Sequence, residues 1–213
     1  ETQIALLKEY VEVRGGGLIF ARGKAYAGSN ETLSEMEPLI WDEGNLENIR
    51  FELTSAGNAN PIFNLDPAQS SDLIIRELPE MISITRVKEE KSLSIVLAKG
   101  VGTSNDEEIA AISYQRYGKG KVMTVGSSGL WQWAFMKNEL AKYDAVYARF
   151  WGQTIRWLVY DSDFLPGQNI SFKTDRYTYN SGDSVALLIQ SKEIETHPIQ
   201  PEVMITTPGG QSV

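Results

Sequence analysis

The sequence predicts a three-layer α/β domain, and three observations carry that prediction. Gly17 to Ala21 is a short, wholly apolar strand of the kind buried on both faces in parallel sheets. Ile109 to Tyr117 and Lys121 to Val125 are strand-like runs joined by Gly118-Lys-Gly120, which reads as a hairpin. A strand, a Gly/Ser turn at Ser127 to Gly129 and a long aromatic helix over about Glu139 to Val159 then follow without a gap, the order of a strand-to-helix unit.

The helix at the front spans Thr2 to Val13, with Ile4, Leu7 and Val11 at helical spacing and Gly15 as its left-handed exit. Residues 28 to 50 read as loop, with a short helix around Glu31 to Glu37 ended by Pro38. Phe51 opens a strand and Asp72 to Leu78 a helix, and Ile82 to Val87 and Ser94 to Ala98 are short β-branched runs. In the last helix Tyr143, Tyr147, Phe150, Trp151 and Leu158 form one stripe, and Gly152 inside it implies a close neighbour, since glycine costs up to ~1 kcal/mol there. Character changes at Asp161. The organisation expected is an α/β domain over 1–160, a linker over 161–169, and over 170–213 the opening of a β-sandwich, with a third strand near Val203 to Thr206.

Composition removes several functions. The 213 residues carry a net charge of -8 with basic residues scattered, which argues against a nucleic-acid groove. No apolar run reaches the roughly 18 residues needed to cross a bilayer. The chain has no cysteine, so disulfides, thiolate metal ligands and thiol nucleophiles are excluded. Asp161 and Asp163 lack a third ligand nearby and read as linker acids, so neither a metal nor a cofactor is expected. Glu1 in place of a methionine, directly before a helix pattern, gives the expectation of a piece cut from a longer protein.

The candidate pocket lies where open α/β sheets place their ligands, beyond the carboxyl ends of the strands. There stand Arg22, Gly23 and Lys24 after the first strand, and Ser127, Ser128 and Trp131 after the later one. Arg22 and Lys24 could hold an anion or form a solvated turn. Ser127 and Ser128 invite a hydrolase reading with His197, the one histidine, but Gly129 is followed by Leu130 and the Gly-x-Ser-x-Gly elbow is not met. Small residues at a turn are the simpler reading. Trp131, Trp133 and Trp151 could line a pocket, although tryptophans at such spacing usually fill cores. Gly118-Lys-Gly-Lys121 lacks phosphate-loop spacing and stays a hairpin.

Four segments, Leu7 to Phe20, Asn60-Pro-Ile-Phe-Asn-Leu65, Tyr114 to Val122 and Arg149 to Leu158, resemble the class I glutamine amidotransferase-like domain of large bacterial membrane proteins, which often also carry von Willebrand A-type domains. Phe172 to Val185 is similar to an Ig-like or macroglobulin-like module. The resemblance implies a flavodoxin-like fold whose first strand-helix units would precede Thr2, and a membrane-anchored, extracytoplasmic parent. In active members it implies a Cys after the first strand and a His and Glu after a later one. Here Arg22-Gly-Lys24 and Gly126-Ser-Ser-Gly129 stand instead, so glutaminase chemistry has neither nucleophile nor base. The function expected is therefore a non-catalytic interaction or scaffold domain, a pseudoenzyme partnered by other domains or proteins. The alternatives are a hydrolase or transferase with a replaced nucleophile, and a small-ligand-binding domain.

Overall fold

The computed structural model describes residues 2–21, 30–66, 68–103, 107–160, 170–174, 182 and 184–191. In chain order the elements are α1 (Thr2–Glu12), β1 (Gly17–Ala21), α2 (Glu31–Met36), β2 (Leu39–Leu53), α3 (Ser55–Asn58), α4 (Ser71–Glu77), β3 (Met81–Glu90), β4 (Ile95–Gly102), β5 (Glu108–Tyr117), β6 (Gly120–Val125), β7 (Ser127–Ser128), α5 (Val146–Tyr160), β8 (Ile170–Thr174) and β9 (Leu187–Ser191). Three 3-10 turns, Pro61–Phe63, Leu130–Ala134 and Asn138–Tyr143, complete the set.

Seven strands form one sheet in the order β1-β6-β5-β4-β2-β3-β7. β1 and β6 run parallel, Gly17 opposite Lys121 and Ala21 opposite Val125. Every other pairing in the sheet is antiparallel. The end of this order is the continuation of a strand already in it, because β7 follows β6 after the single residue Gly126. Gly126 donates to the Ala111 carbonyl on the β5 side (2.7 Å) and accepts from the Thr85 amide on the β3 side (3.2 Å). Beyond it Ser127 pairs with Ile84 and Ser128 with Ser83. The sheet therefore rolls around until β3 meets the extension of β6, which makes it barrel-like and nearly closed.

This overturns the expected three-layer, flavodoxin-like architecture. Ser127 to Gly129 do not lead from an open parallel sheet into a covering helix; they carry the chain across to β3. The second correction concerns residues 39–53, read as loop as far as Arg50. They form a 15-residue strand, bent by pairing irregularities between Ile40 and Asn45 and by Gly44 at φ 84°. Its first half pairs with β3, and from Ile49 onward it pairs with β4. The third concerns the last helix, whose expected first turns are a 3-10 turn through Tyr143 before α5 begins at Val146. Gly152 has no close neighbour, since no atom lies within 4 Å of where its Cβ would stand.

Alternation along β1 and β6 divides the apolar side chains between two clusters. Leu18, Phe20 and Val122 pack with Val11, Leu33 and Met36 beneath α1 and α2. Ile19, Met123 and Val125 join the larger cluster, which contains Ile49, Phe51, Phe63, Ile84, Trp133, Phe150 and Trp157. Ring pairs hold that cluster together: Trp133 meets Phe51 at 6.0 Å and Phe150 at 5.8 Å, both nearly edge to face. Gly100 makes room for the sheet's curvature, as a Cβ there would stand 2.6 Å from Ile49 Cγ2. The tail contributes an antiparallel pair, β8 with β9. Val203 to Thr206, Asp161, Asp163 and His197 lie outside the described residues.

α3 shows how closely the connections are fitted. Thr54 caps it, accepting from the Gly57 amide (3.0 Å) while its hydroxyl donates to the Val96 carbonyl (2.7 Å), which seats the helix on β4. A Cβ on Gly57 would stand 1.9 Å from the Leu97 carbonyl oxygen, a backbone atom that a side-chain rotation cannot relieve. Gly57→Ala is expected to cost about 2–3 kcal/mol, read as a lowered denaturant midpoint at unchanged slope; a loss under about 0.5 kcal/mol would show that α3 can lift from β4 at little cost.

Candidate functional site

The expected pocket sits at the carboxyl ends of the parallel pair, where Ala21 of β1 lies opposite Val125 of β6. Arg22, Gly23 and Lys24 fall outside the described residues. The other three candidates do not converge. Ser127 points inward at 2% exposure with its hydroxyl buried and unpartnered, whereas Ser128, one residue on, faces out. Trp131 stands on the Leu130–Ala134 turn, 54% exposed. A serine nucleophile needs a base within hydrogen-bond reach, and the Ser127 hydroxyl has no hydrogen-bond partner.

Sequence reasoning missed a small buried polar region beside these strand ends. Ser113 of β5 and Thr124 of β6 are direct cross-strand partners, both fully buried, and neither hydroxyl has a hydrogen-bond partner. Gln115, two residues along the same face, donates to the Met36 (2.9 Å) and Glu37 (3.2 Å) carbonyls at the end of α2. Glu37 is itself buried and its carboxylate accepts from the Trp41 indole. The Trp41 ring reaches Gly126, where a Cβ would stand 3.3 Å from it. No local signal marks Ser113 and Thr124, which read as ordinary strand residues.

Two surface features complete the picture. An open groove of about 430 Å³ is lined by Asp42, Arg86, Lys88, Glu89, Glu90, Glu107 and Glu108 among others. Its guanidinium is already held by a carboxylate, Arg86 Nη2 donating to Glu107 Oε2 at 3.1 Å, and that pairing raises the Arg86 pKa. With acids outnumbering bases, the groove is a poor place for a phosphate or other anion. Among the described residues no cluster of three or more His, Asp or Glu could hold a metal ion.

The second feature is aromatic. Trp131 and Phe135, the latter 75% exposed, meet edge to face with ring centroids 6.2 Å apart. The turn that carries them is pinned to the β3 entrance: Gln132 Nε2 donates to the Glu80 carbonyl (3.0 Å), and the Trp133 indole, 1% exposed, to the Pro79 carbonyl (3.4 Å). Gly129 enters the turn at φ 110° against Ile82, which is itself exposed. The three tryptophans expected to share one fate thus separate, Trp133 inside, Trp131 outside and Trp151 between.

No family model matches the chain, and no curated protein matches it. Among solved structures it is similar to a cytoplasmic protein from Salmonella typhimurium, with a TM-score of 0.51 at 20% identity over 73% of this chain and 59% of that one. A second cytoplasmic protein, from Salmonella typhimurium LT2, follows at TM-score 0.47 and 19% identity, covering 74% and 61%. A β-galactosidase from Rahnella sp. R3 follows at 0.46 and 14%, covering 89% and 25%. The first shares the fold; the other two are too distant to bear on it. The chain spans about three fifths of the length of the first. The descriptions flavodoxin-like, amidotransferase-like and pseudoenzyme find no support beside a rolled, mostly antiparallel sheet. The expected extracytoplasmic, membrane-anchored setting is not carried further: the first of these proteins, with which the chain shares a fold at 20% identity, is itself described as cytoplasmic. No helix among the described residues is long and apolar enough to cross a membrane.

One ion pair ties the segment after the aromatic turn to the body of the domain. Glu77, at the end of α4, accepts from Lys142 Nζ (2.7 Å) and Tyr143 Oη (2.8 Å), and these two bonds, Lys142 first, hold its carboxyl below the usual carboxylate range. Because the folded-state pKa is depressed, the contribution is complete above the unfolded value of about 4.3 and is lost as pH falls through the folded value. Glu77→Gln should therefore lower stability at neutral pH, with the difference from wild type closing below about pH 4.3 in thermal melts. A difference that is the same at every pH would show that the carboxylate charge is not what the contact uses.

Proposed function

We propose that this chain is a protein-interaction domain and that the Trp131–Phe135 edge is its contact surface. The observation that carries this reading is two large aromatic side chains left in solvent on a turn that the fold otherwise fixes. Rigid, exposed aromatics lose little conformational freedom on binding and supply the anchors around which interfaces concentrate their energy. Ile82 widens the same apolar edge. The remaining chemistry is in keeping with a binding role: Ser127 is shut away without a base, and the charged groove has its guanidinium already paired. With a net charge of -8, the partner is a protein surface that is neutral or basic around an apolar centre.

A photo-crosslinking amino acid placed at position 131 or 135, and at Lys119 in the exposed hairpin turn as control, tests this in the producing cell. Discrete protein adducts at 131 and 135 that are absent at 119 are expected. The same adducts at all three positions, or none at any, would overturn the reading.

A further inference from the structure

The strand β1 has the sequence of an interior strand and the position of an edge strand. Among the described residues it pairs with β6 alone, and its other edge carries no strand. Exposed edges are ordinarily protected by charge, proline or a bulge. Gly17-Leu-Ile-Phe-Ala21 has none of these, and Leu18, Ile19 and Phe20 are only partly covered.

The helices on both faces overhang this edge with apolar side chains. In α1, Lys8 faces α2 through its bond to Glu35 (2.7 Å). Two residues of helix rotate by about 200°, so Leu6 and Tyr10 occupy the opposite flank, the one beyond β1. Leu6 is 58% exposed and Tyr10 is also exposed. In α5, Trp157 lies over Tyr114 of β5 at 4.6 Å, and Leu158 touches β1, where a Cβ on Gly17 would meet its Cβ at 3.0 Å. Trp151 and Ile155 continue that rotation, about 120° and 160° from Trp157, and so stand past the same edge. Ile155 is 56% exposed, and the Trp151 indole N–H is buried without an acceptor. Among the described residues the flank thus presents apolar side chains in three layers, with Leu6 and Tyr10 above, the unpaired edge of β1 in the middle, and Trp151 and Ile155 below.

We infer that this flank is a homodimer interface in which β1 of two copies pairs antiparallel about a two-fold axis. A strand added here is covered on both faces, so it must be apolar at every position, uncharged and about five residues long to match β1. β1 itself meets that description, which makes the surface self-complementary, as an isologous contact requires. The register centred on the strand sets Ile19 against Ile19, Leu18 against Phe20 and Gly17 against Ala21. The axis keeps α1 beside α1 and α5 beside α5, so that Leu6 meets its counterpart on one face and Trp151 and Ile155 theirs on the other. None of these named residues is charged. This surface is separate from the Trp131 edge and does not depend on it.

Sedimentation equilibrium on the whole 213-residue chain, compared with the double variant L6E/I155E, tests the proposal. The wild type should be a dimer at micromolar concentration, and the variant should dissociate at least about tenfold more readily. Both substituted residues are exposed, so the variant should keep its thermal transition. Hydrogen exchange gives an independent readout, since amides of β1 that β6 does not bond should be protected in the wild type and exchange freely in the variant. A wild-type monomer would overturn the inference and leave the edge to a strand from a different polypeptide. A dimer that survives L6E/I155E, or one that dissociates on Trp131→Ala instead, would overturn it too.

Discussion

Gly126 is the constraint on which the rest of this structure depends. Its amide bonds one neighbouring strand and its carbonyl the other, so a single residue joins β5 to β3. A sheet whose ends meet in this way leaves no unpaired backbone at the seam, which removes the cost of orphaned groups and the hazard of a free edge there. Glycine suits the position because the Trp41 ring and the Ala111 carbonyl approach to within 3.5 Å of where a Cβ would stand. The neighbours of that residue inherit its placement. Ser127 is turned into the core, Ser128 out of it, and Gly129 directs the aromatic turn along β3.

Closure at one place exposes an edge at another. β1 pairs with β6 before Gly126, and β3 pairs with β7 after it. Among the described residues β3 has β2 as one partner and, over Ser83 to Thr85, the β6–β7 strand as another, whereas β1 pairs with β6 alone. The fold therefore has a sealed side, where buried hydroxyls and a paired carboxylate offer little chemistry, and two surfaces with apolar side chains in solvent. That distribution is the basis of the binding roles proposed for the aromatic turn and for the β1 flank.

What could be read in the sequence were features whose cause is local. α1 and its glycine exit, the β5–β6 hairpin around Gly118 and the apolar character of β1 all follow from periodicity and turn chemistry acting over a few residues. β2 was hidden because Asp42, Glu43, Gly44, Asn45 and Glu47 place polar and turn-forming residues in a strand whose outer face is solvated. Its strand character comes from β3 and β4, which lie far along the chain, and tertiary pairing overrides local preference in such segments. The closure was hidden for the same reason. Ser127 and Ser128 suit a strand-to-helix turn and a two-residue strand equally well, and only the distant Ser83 and Ile84 decide between them. Trp131 and Trp133, two residues apart, could not be separated without knowing which side of the turn rests on Pro79 and Phe51.

Amide hydrogen exchange resolved at Thr85 and Gly126 tests the closed sheet most directly. If the seam is formed as described, both amides exchange only through global unfolding, with equal protection that falls in step when the protein is destabilised by denaturant. If Thr85 instead exchanges rapidly, as an edge-strand amide would, while Gly126 stays protected by β5, the sheet is open between β3 and β7 and the closure does not hold.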